Sequence, residues 1–154
     1  MTHEKQNLME QIATLEKLSI NMANTDFLLT WEKSDDQILA TVLVAELLKK
    51  LYEQNVSLKV FNSGLAVSNF RDNSTRTRFS FASAANLLGL TVQDIDETKS
   101  QIQHGETVRE TSTMISFLTE VIGIRDDKFI GLGNIYMKEV AESVETAFQE
   151  GTFN

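Results

Sequence analysis

The chain has 154 residues, of which 42% are hydrophobic and 23% charged, with a formal net charge of −8 and no cysteine. This length is sufficient for one domain with a substantial core. The acidic balance argues against nonspecific nucleic-acid binding, which needs an extended basic surface, and the lack of cysteine excludes disulfides. The polar N-terminus and the lack of a bilayer-length apolar run predict a cytoplasmic protein without a membrane partner.

Two helices are predicted before the first strand. Residues 3–18 carry apolar side chains at helical spacing, and residues 21–30 are predicted to be a connector. Ser34 and Gln37 form a capping-box pattern that begins a second helix over residues 35–53. The sequence therefore predicts an N-terminal helix and connector over residues 1–33, followed by an α/β domain over residues 34–154.

Strands and helices alternate in the rest of the chain. Residues 58–61 are compatible with a short strand. The better-defined elements are a strand at 65–70, a helix at 75–88, a strand at 91–95, a helix at 107–120, a strand at 121–124 and a helix from 134. The predicted buried stripes of the last two helices include Leu118 and Phe148. This alternation predicts a three-layer α/β fold with a mainly parallel sheet flanked by helices.

The run Ser-Thr-Arg-Thr-Arg, residues 74–78, follows the strand at 65–70 and begins the next helix. Its hydroxyls, guanidiniums and unpaired backbone N–H groups converge at the positive end of a helix dipole, which predicts an anion site, most suitably for phosphate. Arg76 and Arg125 each follow a strand, so both are expected at the sheet edge where ligands of open α/β folds bind. The alternative is an ordinary helix cap with solvated arginines, which five consecutive donor side chains make less favoured.

Metal and nucleotide chemistry find little support in the sequence. The histidines are His3 and His104, which are far apart in the chain, and no cysteine is present. A Walker-type Gly-Lys-Ser/Thr is also absent. No metal and no cofactor are therefore predicted.

Three motifs together resemble the aspartate and ornithine carbamoyltransferase family. The run at 74–78 resembles the family's carbamoyl-phosphate signature, and Ser-Gln-Ile-Gln-His-Gly-Glu-Thr at 100–107 is similar to the loop and helix start that follow in ornithine-type enzymes. Ile-Gly-Ile-Arg at 122–125 is similar to the family strand that ends in a ligand-binding arginine. Because the three motifs occur in the family's order, the match is specific. Their amino-acid sequences are most similar to those of the YgeW-type members.

The resemblance implies a role for each matching residue. Ser74, Thr75 and Arg76 would hold the phosphate of carbamoyl phosphate. Thr77 and Arg125 would bind the carbamoyl oxygen and stabilise its charge while an amine attacks, which is an oxyanion-hole role. Arg76 would also stabilise the departing phosphate, so Arg76, Thr77 and Arg125 are the implied catalytic residues.

In the family that the sequence resembles, the loop corresponding to residues 100–105 reaches the active site of a neighbouring subunit, and the resemblance therefore implies a homotrimer with shared sites. Gln101 would then be a phosphate contact donated in trans. His104 is a candidate substrate-binding residue at a position where the aspartate enzymes carry lysine. A histidine is only partly charged near neutral pH, and a solvated loop histidine is an equally favoured interpretation of His104.

The resemblance implies the carbamoyl-phosphate-binding half of a carbamoyltransferase. Such an enzyme transfers a carbamoyl group to an amino-group acceptor, an amino acid or a related amine, and releases phosphate. The family's His-Pro-x-x-Gln motif and second, acceptor-binding domain are not in this sequence, so the isolated chain is expected to be inactive and its acceptor is unidentified. The alternative is a noncatalytic phosphate-binding or oligomerisation module that retains the fold.

Overall fold

The computed structural model describes residues 3–23, 25–71, 74–96, 105–127 and 131–151. The chain divides into two compact units, Met1–Leu58 and Lys59–Asn154. The domain boundary predicted between residues 33 and 34 stays a prediction, since a division by contacts does not test which segments fold together. No helix in the described part of the chain is both long enough and apolar enough to cross a membrane.

The first unit contains two α-helices, α1 (His3–Leu15) and α2 (Asp35–Glu53), with a 3-10 turn at Thr30–Glu32 between them. The predicted bounds of α2 are confirmed. Its capping box is formed, because the Ser34 hydroxyl accepts from the Gln37 N–H at 3.2 Å while the Ser34 N–H donates to Gln37 Oε1 at 3.0 Å. Lys50 on α2 joins the two helices by donating to side-chain oxygens of Asn7 and Gln11, at 2.7 Å each.

The second unit alternates strands and helices, as the sequence predicts. Its elements in chain order are β1 (Leu65–Phe70), α3 (Thr75–Leu88), β2 (Thr91–Asp94), α4 (Val108–Ser116), β3 (Val121–Arg125) and α5 (Gly133–Gln149). The three strands form a parallel sheet in the order β2-β1-β3. The predicted α/β class with a parallel sheet is confirmed.

The central strand carries the core of this unit. Residues 66–70 are all buried, as expected for a parallel strand with neighbours on both sides. Ala66, Ala85 and Leu90 form a buried cluster against which Phe61 and Phe81 pack. The core therefore joins the start of β1 to the end of α3 and to the start of β2.

Two apolar stripes differ from the sequence prediction. Helix α4 ends at Ser116, four residues before the predicted end, and Leu118 is 60% exposed in the turn that follows. The buried positions of α4 are instead Thr111 and Ser112. In α5, Val140 is buried but Phe148 is 69% exposed. Helical periodicity identifies a stripe only while the helix continues, and Leu118 lies beyond its end.

The stretch at residues 58–61, which is described throughout, forms no strand. The N–H groups of Val60 and Phe61 instead donate to the carbonyl of Leu88 at 3.1 and 3.0 Å. This contact holds the segment before β1 against the end of α3, where Gly89 has the left-handed φ of 101° that its predicted capping role requires. The C-terminal cap of α3 is confirmed.

The order of the strands indicates at which edge of the sheet a ligand is expected to bind. The connection from β1 to β2 and the connection from β2 to β3 run in opposite directions across the sheet. Because such crossovers are right-handed, α3 and α4 belong on opposite faces. The carboxyl ends of β1 and β3, where Phe70 pairs with Arg125, therefore mark a switch point of the kind at which open α/β sheets bind ligands.

Candidate anion-binding site

The first turn of α3 is capped by Ser74. Its backbone is extended, with φ −78° and ψ 99°, and its hydroxyl accepts from the Thr77 N–H at 3.4 Å. The hydroxyl oxygens of Ser74 and Thr77 also lie 2.8 Å apart, within hydrogen-bonding distance. The cap thus holds two hydroxyls together at the start of the helix.

Arg125, the last residue of β3, reaches across to this turn. Its Nη1 donates to Thr77 Oγ1 at 2.5 Å, and its Nη2 pairs with Asp127 Oδ2 at 2.5 Å. The structure therefore brings together Thr77 and Arg125, the two residues to which the family resemblance assigns one ligand oxygen. Their roles in binding stay predictions, whereas the hydrogen bond between them is observed in the structure.

Thr75 and Arg76 occupy the first two positions of α3 and are both exposed. Their backbone N–H groups have no acceptor within the helix, and no described residue outside the helix accepts from them. The Arg76 guanidinium likewise makes no hydrogen bond or ion pair with the described residues. This turn therefore presents donors without partners beside the Ser74 cap.

Arg78 serves the packing of the turn. Its guanidinium donates to the Phe70 carbonyl at 2.5 Å and also pairs with the Asp94 carboxylate. The same carboxylate accepts from the Ser68 hydroxyl at 2.5 Å. The sequence places Arg78 among five donors at the start of the helix. In the structure its hydrogen bond to Phe70 and its ion pair with Asp94 connect α3 to the ends of β1 and β2.

A partly buried ion pair lies beside the site, and sequence reasoning missed it. Arg71 Nη1 lies 2.7 Å from Asp126 Oδ2, and the Asp126 side chain is only 1% exposed. The Arg71 guanidinium also lies 4.4 Å above the ring of Tyr136, and the backbone N–H of Arg71 donates to the Arg125 carbonyl at 2.9 Å. The pair therefore joins the turn after β1 to the segment after β3.

A second polar contact links the central strand to α5. Asn69, buried in β1, donates from Nδ2 to the Tyr136 hydroxyl at 2.6 Å. The sequence does contain one indication of these contacts, since Ser68 and Asn69 lie in an otherwise apolar strand and buried polar groups require partners. That signal shows that partners exist, but it does not identify Asp94 or Tyr136.

The charges around the turn are balanced at all but one arginine. Three of the four arginines have an aspartate partner: Arg71 pairs with Asp126, Arg78 with Asp94 and Arg125 with Asp127. Arg76 is the one without a carboxylate partner in the described part of the chain. An anion that approaches this edge therefore meets the Arg76 guanidinium, whose charge no described carboxylate neutralises.

Two predicted site residues, Gln101 and His104, lie outside the described residues. Among the residues that the structure does describe, no group of three or more acidic or histidine side chains has the arrangement of a metal site. The candidate site is therefore built from α3 and the end of β3. Ser74, Thr75, Arg76, Thr77 and Arg125 contribute its side chains.

Solved structures similar to this chain include two carbamoyltransferases. Aspartate transcarbamoylase from Trypanosoma cruzi, solved in complex with carbamoyl phosphate, matches 78% of this chain with a TM-score of 0.67 and 20% identity, over 36% of that protein. Ornithine carbamoyltransferase from Pyrococcus furiosus matches 80% of this chain with a TM-score of 0.67 and 22% identity, over 38% of that protein. At these identities the likeness establishes the fold.

Sequence comparison extends the match beyond the fold. The Escherichia coli K12 protein named "Putative carbamoyltransferase YgeW" is 56% identical over 142 residues, which are 92% of this chain and 36% of that protein. Ornithine carbamoyltransferase from Prochlorococcus marinus subsp. pastoris is 34% identical over 104 residues, which are 68% of this chain and 32% of that enzyme. The chain therefore spans about a third of the length of these relatives.

The sequence model of one family covers most of the chain. The carbamoyl-P binding domain of aspartate/ornithine carbamoyltransferase matches residues 25–148, a range that includes β1, the α3 turn and Arg125. The resemblance inferred from the three motifs is thereby confirmed. On this match, and on the similarity to relatives across 92% of its length, the chain belongs to the aspartate/ornithine carbamoyltransferase family and contains its carbamoyl-P binding domain.

Proposed function

We propose that this chain is the carbamoyl-phosphate-binding half of an enzyme that transfers a carbamoyl group to an amino acid or a related amine and releases phosphate. The observation that carries the proposal is the contact between Thr77 and Arg125 beside a capped helix start. Next to that contact stands Arg76, whose guanidinium has no partner in the described part of the chain. Family membership and the complex of the Trypanosoma cruzi enzyme with carbamoyl phosphate support the choice of ligand.

The phosphate group would bind at the first turn of α3. Ser74 and Thr75 offer hydroxyls, the turn offers backbone N–H groups, and Arg76 offers a planar fork of donors that matches phosphate geometry. A charge-assisted hydrogen bond contributes about 1.5–3 kcal/mol, whereas a helix dipole contributes about 0.3–1 kcal/mol. Arg76 should therefore dominate the affinity, and the helix start should orient the ligand.

The carbamoyl oxygen would bind between Thr77 and Arg125. A hydroxyl has one proton and two acceptor sites. The Thr77 oxygen accepts from Arg125, and it accepts a second bond when Ser74 acts as the donor across their 2.8 Å contact. In that arrangement the proton of Thr77 is available for a ligand oxygen, which is the requirement of an oxyanion hole.

The proposed reaction uses both parts of the site, the phosphate-binding turn and the Thr77–Arg125 contact. The amine nitrogen attacks the carbamoyl carbon, and negative charge develops on the oxygen beside Thr77 and Arg125. The bond between the carbon and the phosphate oxygen breaks next, and the departing phosphate takes up the proton that the amine nitrogen loses. Phosphate therefore leaves as hydrogen phosphate with its charge facing Arg76. No metal or cofactor takes part in this proposal. The residues that choose the acceptor amine are not assigned.

The assembly is proposed on the family resemblance alone. We expect a homotrimer in which Gln101 of a neighbouring subunit contacts the phosphate and His104 contributes to substrate binding. Sedimentation velocity would test the trimer, and a purely monomeric chain would contradict it. The cytoplasmic location predicted from the sequence likewise stays a prediction.

Calorimetric titration with carbamoyl phosphate and with inorganic phosphate tests the function. Tighter binding of carbamoyl phosphate, lost in Arg76→Ala and partly kept in Arg76→Lys, is expected. Lys49→Ala is the matched control, because it removes one positive charge from an exposed position of α2. Equal binding of both ligands would favour a phosphate-binding module instead, and wild-type affinity in Arg76→Ala would exclude the assigned phosphate site.

A further inference from the structure

Asp127 lies directly beside the proposed carbamoyl end of the site. Its Oδ2 is 2.5 Å from Nη2 of Arg125, while Nη1 of the same guanidinium is 2.5 Å from the Thr77 hydroxyl. The side chains of Arg125 and Asp127 are 38% and 52% exposed, so both are accessible to a ligand. One guanidinium thus faces a hydroxyl on one side and a carboxylate on the other.

We propose that Asp127 is a specificity-determining residue. It makes the Thr77–Arg125 end of the site accept an uncharged carbonyl oxygen in preference to a second anionic group. The inference rests on the proposed function, because it assumes that this end receives the carbamoyl oxygen. It adds a residue that the family motifs described above do not include.

The preference follows from charge balance. A carbonyl oxygen needs a hydrogen-bond donor, and Arg125 remains a donor when Asp127 neutralises its charge. A carboxylate in the same place would meet the negative charge of Asp127 across the width of one guanidinium. Like charges at a separation below the Debye length repel one another even near the surface.

The neighbouring aspartates do not have this effect on Arg125. Asp126 is buried against Arg71 at 2.7 Å, and Asp94 pairs with Arg78. The phosphate end differs as well, because Arg76 has no carboxylate partner among the described residues. The site therefore has one cationic end, suited to a phosphate dianion, and one balanced end, suited to a neutral carbonyl.

Two stable probes of nearly equal shape test the proposal. Phosphonoacetamide carries a neutral carbonyl beside its phosphonate, whereas phosphonoacetate carries a carboxylate there. We expect the wild-type chain to bind the amide more tightly. In Asp127→Asn the carboxylate probe should bind about threefold to tenfold more tightly, while the affinity for the amide stays within about twofold. Asp127→Glu keeps the charge and should keep the wild-type ratio, and circular dichroism would verify that both variants fold.

The outcomes separate this proposal from the function on which it rests. If Asp127→Asn binds the amide normally but leaves the ratio of the two dissociation constants unchanged, Asp127 has no part in specificity and the proposed function stands. Parallel tightening of both probes would also overturn the inference, because it would indicate a general field effect. If the wild-type chain binds neither probe, or Arg76→Ala weakens neither, the proposed function fails and the inference fails with it.

Discussion

The hydroxyl oxygen of Thr77 lies 2.5 Å from Nη1 of Arg125, a residue 48 positions further along the chain. The contact joins the start of α3 to the end of β3, where the switch point of the sheet is expected to place a ligand. Neither residue alone would form an oxyanion hole. Their contact is therefore the feature of the site that depends most directly on the fold.

Replacing Thr77 by valine should weaken the distinction between carbamoyl phosphate and inorganic phosphate. The change keeps the branched shape but removes the hydroxyl that Arg125 contacts. A hydrogen bond that involves a charged group is worth about 1.5–3 kcal/mol, so a loss of roughly tenfold or more in affinity for carbamoyl phosphate is expected. Titration calorimetry measures it, with Thr77→Ser as the control that keeps the hydroxyl. A valine variant that keeps the wild-type preference would contradict the assigned role.

Two adjacent aspartates should differ sharply in their effect on stability. Asp126 is 1% exposed and paired with Arg71, whose side chain is 20% exposed, so Asp126→Ala removes the buried carboxylate of this ion pair and should cost about 3 kcal/mol, the lower end of the range for breaking a buried pair. Asp127 is 52% exposed, so Asp127→Ala should cost under about 1 kcal/mol. Urea unfolding monitored by circular dichroism gives both values. Equal losses in the two variants would show that the Arg71 pair is not effectively buried.

Gly89 should not tolerate a side chain. Its φ is 101°, and an added Cβ would lie 2.2 Å from the Phe61 carbonyl oxygen, which is backbone and cannot yield easily. The left-handed conformation alone costs about 1–2 kcal/mol for other residues, so Gly89→Ala should cost more than about 2 kcal/mol. Gly131→Ala is the control, because its φ of 82° is also positive but its Cβ would have no atom within 4 Å. Thermal unfolding that ranks the two variants equally would argue against the clash.

The capping box of α4 should make stability depend on pH in the acidic range. Hydrogen bonds from the Thr107 backbone N–H and hydroxyl lower the pKa of Glu110 below its ordinary value of 4.5. A lowered pKa in the folded state means that the contribution to stability is complete above about pH 4.5 and is lost as the pH falls through the folded value. The difference in unfolding free energy between wild type and Glu110→Gln should therefore shrink below that pH. A difference that stays constant from pH 3 to pH 7 would exclude this linkage.

Local signals predicted much of the fold correctly. The capping boxes at Ser34 and Thr107, the strand before Ser74 and the glycine after α3 each depend on a few neighbouring residues, and each is found where it was expected. The Ser74 cap at the start of α3 depends on neighbouring residues in the same way, whereas the binding roles of Ser74, Thr75, Arg76 and Thr77 stay predictions. The burial of Leu118 and Phe148 was predicted wrongly, because hydrophobic spacing does not show where a helix ends or whether its end is covered.

The supporting contacts could not be predicted from local patterns. Arg71 and Asp126 are 55 residues apart, and Asn69 and Tyr136 are 67 apart. Sequence patterns relate residues that are only a few positions apart, so they indicate neither pair. The ion pair of Arg78 could not be predicted for the same reason. Its partner Asp94 lies at the end of another strand, and only the register of the sheet brings that strand alongside.

Arg76 is exposed and has no partner among the described residues, which has a further consequence for the thermodynamics of binding. Thr77 and Arg125 are already held in place by hydrogen bonds, so a ligand would find that end of the site preorganised. The Arg76 side chain makes no hydrogen bond, ion pair or ring contact with described residues that would restrict its rotamers, and immobilising such a side chain costs about 1.5–2 kcal/mol in conformational entropy. The entropic penalty of binding should therefore be concentrated in one side chain, and phosphate affinity should respond more strongly to restriction of Arg76 than to rigidity anywhere else in the turn.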